Sequence, residues 1–466
     1  MSQPKTPPGP PAKLPLGIDH LLSVTKDPLA HMKEVATYGD VVYYAVGRGK
    51  RRMNIYHFYH PDFIREVLVT NQRHYIKGES INHLKELLGE GLLTSSGDFH
   101  LRQRRLAQPA FHKKRIAAYG EIMTGYATRM LEGWPDGATL DMAAEMKELT
   151  LQIVVKTLFD TDLDRSDQEL REALSNLNDW AERILLPPGL ARLLGKLPLS
   201  ASRRFKKARR VLNSTMDRLI AERRATPTDH GDLLSMLLQA TDEEGDRTGM
   251  SDEQVRHEIL TMFLAGHETT SLALMWTWYL LSQNPDAAEK LHAELDSVLA
   301  GRVPTVEDLP RLPYTEKVFT EAMRLFPPAY ATSRYNVTDQ QVGGYTIPAG
   351  SRIILSQYVT HRDPRWFAEP EKFDPDRWTP EFKASLPKFA YWPFGGGPRL
   401  CIGEPFAWME GQLLVATIAQ RCEFRLLPGH PVATRPQVTL RARYGMKMIM
   451  SRRKVGAEKI PAGAAS

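Results

Sequence analysis

Residues 41–46 (VVYYAV) and 53–58 (MNIYHF) are two β-rich, largely apolar runs with the polar GRGKRR turn between them, a pattern that predicts a β-hairpin. From Pro61 onward the apolar positions recur instead at intervals of three and four. Helices are therefore expected over 62–69, 101–108, 116–131, 168–184 and 202–223. Short β signals return at 343–347, 351–355 and 441–450, each beside glycine or proline. No internal repeat or linker interrupts the pattern. The expectation is a mainly α fold with small β-sheets, one domain over 1–466, a Pro-rich lead-in at 1–15 and a flexible tail at 454–466.

Two segments depart from simple amphipathic spacing. Residues 251–282 contain no proline and open with Ser251 and Gln254, a capping-box start, so one helix about 48 Å long is predicted. Its apolar run, 259–281, is long enough for a membrane span, but Gly266-His267-Glu268-Thr269-Thr270 would set a charge and several polar groups in lipid. A core helix fits better. A threonine there can simply bond back to the preceding turn, whereas the adjacent Glu268 and Thr269 can also handle protons, and Gly266 permits close approach of a ligand. The second segment, 185–199 (LLPPGLARLLGKLPL), is an apolar loop, either a buried turn or an entry flap that touches a membrane.

Composition narrows the chemistry. The 466 residues carry a net charge of +6, and the basic runs 48–52, 112–115 and 203–210 read either as solvated faces or as a docking surface for an acidic protein. Little aromatic residue is interleaved with them and no zinc-finger or RNA-recognition pattern accompanies them, which argues against nucleic acid. The N-terminus lacks the charged and apolar regions of a secretory signal, and Cys401 and Cys422 are too few for a disulfide framework. A cytoplasmic protein without a transmembrane anchor is expected.

Cys401 stands in FGGGPRLCIG, just before a helical pattern over 406–418, where free backbone N–H groups would favour a thiolate. A buried inert thiol is the alternative, and Cys422, in an RCEF context, is read that way. No histidine is tied to Cys401 by a local pattern, so metal ligation is the better functional reading. A single thiolate excludes ordinary iron–sulfur clusters and leaves a cofactor that brings its other ligands, namely haem.

The spacing of Phe394, Gly397, Arg399, Cys401 and Gly403 resembles the haem-thiolate loop of cytochrome P450 monooxygenases, F-x-x-G-x-R-x-C-x-G. Three further elements follow the family's order, so the resemblance spans about Leu16 to Arg453. Ala265–Thr270 (AGHETT) is similar to the family's oxygen-activating helix, Glu321 and Arg324 to its E-x-x-R, and FDPDRW to the segment whose arginine, here Arg377, completes a structural Glu-Arg-Arg network. The resemblance implies the P450 fold, with a long central helix over haem b and Cys401 as the iron ligand. It implies that Glu268 and Thr269 relay protons while Gly266 leaves room for oxygen. It also implies His100, Arg104, Arg334, Arg399 and Phe394 as cofactor contacts, and a substrate pocket drawn from Leu84, Leu88, Leu92, Phe263, Ala265, Tyr330, Ala331 and Met446.

The implied reaction is hydroxylation of an apolar small molecule, such as a fatty acid or terpenoid, by O2 and external electrons. No G-x-G-x-x-G pattern or fused electron-transfer segment is seen, so the partner is expected to be a ferredoxin or flavodoxin with its reductase, and 112–115 is a candidate docking run. A peroxide-driven peroxygenase, a non-catalytic haem sensor and a purely structural helical protein are the competing readings.

Overall fold

The computed structural model describes residues 5–163, 168–181, 200–226, 228 and 230–453. The 185–199 loop and the 454–466 tail lie outside the described residues. The Pro-rich lead-in is not free where it is described: the Tyr43 N–H donates to the Pro8 carbonyl at 2.9 Å. Contact is so close that a Cβ on Gly9 would meet the Tyr43 oxygen at 1.8 Å. Two helices that the hydrophobic pattern did not mark, Ile18–Lys26 and Pro28–Ala36, follow it. Asp27 separates them and caps the second by accepting from the Leu29 and Ala30 N–H groups.

The hairpin forms with Val41 opposite Phe58 and Val46 opposite Met53. Its strand Met53–Phe58 then pairs in parallel with Arg352–Leu355, which pairs antiparallel with Thr332–Asn336. A short strand, Tyr75–Ile76, completes this five-stranded sheet. One sheet thus ties the first sixty residues to segments near 335 and 355.

The rest is mainly helical around Asp252–Gln283, whose N-terminus carries the full capping box: Ser251 Oγ accepts from Gln254 N–H and Gln254 Oε1 from Ser251 N–H. Helices Met142–Phe159, Ser200–Ala225, Pro313–Leu325 and Glu404–Ala419 pack on it from different sides. Buried on nearly all sides, it has little amphipathic character. No helix among the described residues is long and apolar enough to cross a membrane.

Two elements differ from the spacing. The 116–131 pattern divides into Lys113–Ala117 and Gly120–Glu132, with Gly120 so close to Val306 that a Cβ would lie 2.4 Å from its methyl. The 62–69 pattern starts as Pro61–Arg65 and widens into a π turn over Glu66–Thr70. Cys422 is buried, as its context suggests, and opens the strand Cys422–Leu426.

Behind the cysteine loop, Glu321 and Arg324 are both fully buried, one helical turn apart. Arg324 donates Nε and Nη2 to the two Glu321 oxygens at 2.8 Å each, a bidentate pair. Arg377 Nε and Trp378 Nε1 each donate to the same carboxylate at 2.9 Å. The remaining Arg324 hydrogens go to the carbonyls of His361, Pro370 and Lys372. Removing one member of such a pair strands a buried charge, at a cost of about 3–5 kcal/mol. Glu321→Ala is therefore expected to lower stability by that order in urea unfolding; a midpoint equal to wild type would remove the network from the fold's supports.

Candidate active site

Cys401 opens onto a cavity of about 1650 Å³. The loop before the cysteine is held by its backbone: Cys401 N–H donates to the Phe394 carbonyl at 3.0 Å. Gly395 and Gly397 have φ of +78° and +66°, which an L side chain rarely adopts. A Cβ on Gly397 would meet the Leu68 carbonyl at 2.0 Å, and one on Gly396 would meet the Phe389 ring at 2.3 Å. These two glycines make room for protein. Phe394 lines the cavity, with its ring 5.6 Å from that of Trp408. The helix start lends Cys401 the Gly403 and Glu404 N–H groups, yet burial, the larger effect, pushes the thiol up. The helix terminus alone does not make a thiolate; a bound metal would deprotonate the sulfur.

Four cations gather next to this loop. Arg399 donates to Ser95 O at 2.8 Å, Arg104 to Leu400 O at 2.7 Å, Arg334 to Ser333 O at 2.9 Å, and Lys77 to Leu93 O. None of the four forms an ion pair with a carboxylate among the described residues. Burial holds Arg334 down at about 10, and burial with Arg334 and Arg104 does the same to Arg399. Lys77 is pushed well below the usual lysine range by burial, Arg399 and Arg334. His100 is pushed down to about 3 by burial and by Arg399, Lys77 and Arg104, so it is neutral. Lys77, Arg334 and Arg399 line the cavity, whereas His100 and Arg104 stand behind the lining. Buried charges of one sign require an anionic ligand.

On the central helix Gly266, Glu268, Thr269 and Thr270 face the same cavity. Gly266 lets the helix approach its neighbour, since a Cβ there would lie 3.2 Å from Val154. Thr269 Oγ1 donates back to Ala265 O at 2.8 Å, leaving its lone pairs to accept from the cavity. Glu268 Oε1 accepts from Thr439 Oγ1 at 2.6 Å and from Arg441 Nε at 2.7 Å. Burial raises its pKa, but Arg441 and Thr439 outweigh this and hold the carboxyl below the usual range. His267 points away: its Nδ1 bonds Phe263 O at 2.9 Å.

Of the expected pocket residues, Leu84, Leu88, Leu92, Ala265, Tyr330 and Ala331 line the cavity. Phe263 and Met446 do not. Met262, Ala265, Gly266 and Thr269 share one helical stripe; Phe263 falls outside it and packs on Phe159 at 6.3 Å between ring centroids. Met446 is buried in the core, its N–H donating to Asp141 at 2.8 Å; Gln437, Val438 and Thr439 approach the cavity in its place.

Sequence reasoning missed Lys77, Thr439, Arg441 and Glu410. Lys77 is an isolated lysine, and Arg441 lies 173 positions from Glu268. Glu410 did leave a signal, a carboxylate within the apolar helix Glu404–Ala419. It is buried, and burial pushes it up to about 8 against the hydrogen bond from Thr270. Folding thus keeps this acid protonated between the usual carboxylate range and pH about 8, while the unfolded chain ionises. Its contribution to stability is full at low pH and lost as pH rises through that interval. Glu410→Gln should melt increasingly above wild type over the same interval; parallel melting curves would contradict the buried neutral acid.

Comparison with known proteins sets this arrangement in a family. The chain is 41% identical over 435 residues to cyclooctatin synthase of Streptomyces melanosporofaciens, covering 93% of each chain. It is 37% identical over 421 residues to cyclooctat-9-en-7-ol 5-monooxygenase of the same organism, with 90% of each covered. Pentalenene oxygenase of Streptomyces avermitilis is 33% identical over 414 residues, covering 88% of this chain and 90% of that one. A crystal structure of the cytochrome P450DA haem domain superposes with a TM-score of 0.86 at 28% identity, over 97% and 98% of the two chains. The family model for cytochrome P450 matches residues 7–448, and the chain belongs to that family of haem-thiolate monooxygenases, whose bacterial members normally draw electrons from redox partners.

Proposed function

We propose that this chain hydroxylates a terpenoid-like apolar substrate at haem b, in the cytoplasm, with electrons from a ferredoxin or flavodoxin and its reductase. The observation that carries the chemistry is the convergence on one cavity of Cys401 and of Lys77, Arg334 and Arg399, cations that meet no carboxylate among the described residues. Haem fits that donor set, a thiolate for its iron and cations for its two carboxylates. When bound, it supplies the redox chemistry that activates oxygen. Relatives named cyclooctatin synthase, cyclooctat-9-en-7-ol 5-monooxygenase and pentalenene oxygenase support the terpenoid class. The lining leucines 84, 87, 88 and 92 with Met262 and Leu264 give it an apolar surface.

Cys401 Sγ would hold the iron, Lys77, Arg334 and Arg399 would orient the carboxylates, and the apolar wall would exclude water. Glu268, ionised, accepts a proton at Oε1 or Oε2, while Glu410 keeps one at its carboxyl behind Thr270. Two carboxyls driven apart in pKa flank the threonines, the arrangement expected where protons are supplied in one direction. Thr269 Oγ1, its hydrogen given to Ala265, orders water by accepting. Phe111 and Cys401 Sγ both lie 3.9 Å from where a Gly403 Cβ would be, which brings the basic run 112–115 to the cysteine side, suited to an acidic partner.

The reduced carbon monoxide spectrum of the purified protein tests thiolate ligation directly. A thiolate-type band is expected, and its loss in Cys401→Ser; a band of imidazole type or none rejects the proposal. Thr269→Ala should keep cofactor and substrate binding but convert more of the reducing equivalents to hydrogen peroxide. Unchanged product per reducing equivalent would remove Thr269 from proton handling.

A further inference from the structure

The cavity continues beyond the cysteine into a second limb between the five-stranded sheet and the first two helices. Leu21, Val24, Pro28, Met32, Val46 and Ile55 give it apolar walls. Arg352 also lines it, from the middle strand, opposite Ile55 on one side and Tyr335 on the other. Directly opposed residues share a sheet face, so Arg352 lies on the face of Tyr44 and His57, and Arg334, adjacent to Tyr335, is on the other. Arg352 is therefore separate from the cations beside the cysteine loop.

Its neighbours are already paired with one another. Ser23 Oγ contacts His31 Nδ1 at 3.2 Å, His31 Nε2 contacts Tyr44 OH at 3.1 Å, Tyr44 OH contacts His57 Nε2 at 3.3 Å, and His57 Nδ1 contacts Tyr59 OH at 3.0 Å. Tyr59 OH donates to Met32 O. That last bond sets the direction of the rest: His57 donates from Nδ1 to Tyr59, Tyr44 donates to His57, His31 donates from Nε2 to Tyr44, and Ser23 donates to His31. Burial, His31 and Arg352 push His57 down to about 3, so the chain is neutral and has no charge to offer.

Arg352 Nε is buried without a hydrogen-bond partner, and its guanidinium makes no ion pair among the described residues. Gln357, 3% exposed and on the same cavity wall, has an unpartnered Oε1. The limb's mouth adds Lys50, Arg51 and Arg52. Glu268 is the one carboxylate among the described lining residues, and Arg441 already holds it. With the haem carboxylates assigned to the other cations, the limb keeps positive charge that no carboxylate among the described lining residues neutralises. We propose that Arg352 forms a subsite for the carboxylate of an otherwise apolar substrate, a terpenoid acid whose hydrocarbon body extends from this limb toward Cys401.

This subsite rests on the proposed monooxygenase reading only for its hydrocarbon class, and calorimetry separates the two. Abietic acid, its primary alcohol and its methyl ester, one skeleton with three end groups, are titrated into the holoenzyme. The acid should bind at least about tenfold more tightly than the ester, the size of one charge-assisted hydrogen bond. Arg352→Gln should bring the acid to the ester's affinity and leave the ester unchanged, with Arg352→Lys between. Equal binding of all three, an acid preference that survives in Arg352→Gln, or no binding by any overturns the proposal. An intact acid preference in protein that lacks a thiolate-type spectrum would reject the monooxygenase reading and keep the subsite.

Discussion

The Glu321 carboxylate is the constraint from which the cysteine side of the molecule is built. A fully buried carboxylate is tolerable only when every lone pair is answered, and here Arg324, Arg377, Trp378 and the Asp374 N–H answer them. Arg324 in turn binds the carbonyls of His361, at the end of the short helix Gln357–Thr360, and of Pro370 and Lys372 in the turn further on, so one ion pair ties both segments to the helix Pro313–Leu325. His361 carries the constraint forward: its Nε2 accepts from Trp392 N–H at 2.9 Å, two residues before Phe394, whose carbonyl holds Cys401. Hydrogen bonds and two short stretches of chain thus connect the helix Pro313–Leu325 to the Cys401 backbone. The network sets position and leaves the chemistry to the cavity side.

On that side, two carboxyls receive opposite treatment from the same fold. Glu268 is pinned to Arg441 and Thr439, brought in by the C-terminal strands, and stays ionised. Glu410, on the helix that follows the cysteine, meets only Thr270 and stays protonated. On the proposed reading, the central helix presents Thr269 and Thr270 between a proton acceptor, Glu268, and a proton store, Glu410.

Much of this was legible in the chain before any coordinates. Proline-free length and a capping box defined the central helix to within a residue, and the hairpin followed from two β-rich runs about a glycine-containing turn, because both signals are local. Gly397 was legible as a glycine but not for its reason, the approach of the Leu68 carbonyl, which is a tertiary fact. Phe263 was misplaced for want of helical phase: an apolar residue two positions from Ala265 looks equally suited to a pocket until the helix is wound. Lys77 and Arg441 left no trace in spacing, since each meets its site across a long stretch of sequence. Arg352 gave none either. An arginine in a short strand reads as solvated until its face of the sheet is known to be covered.

The cavity's charge explains why such residues matter together. Burial holds Lys77, Arg334 and Arg399 all below their usual ranges, repulsion from neighbouring cations adds to it for Lys77 and Arg399, and Arg352 is left with an unanswered Nε in the other limb. Each is a cost to the folded chain that an unfolded chain in water does not bear. Anions that enter the cavity remove that cost only in the native state, so their binding free energy is also stability. Cofactor and substrate, on this account, complete the same electrostatic structure: the buried acid network holds the cysteine loop in place without them, and the cations lining the cavity reach balance only with them.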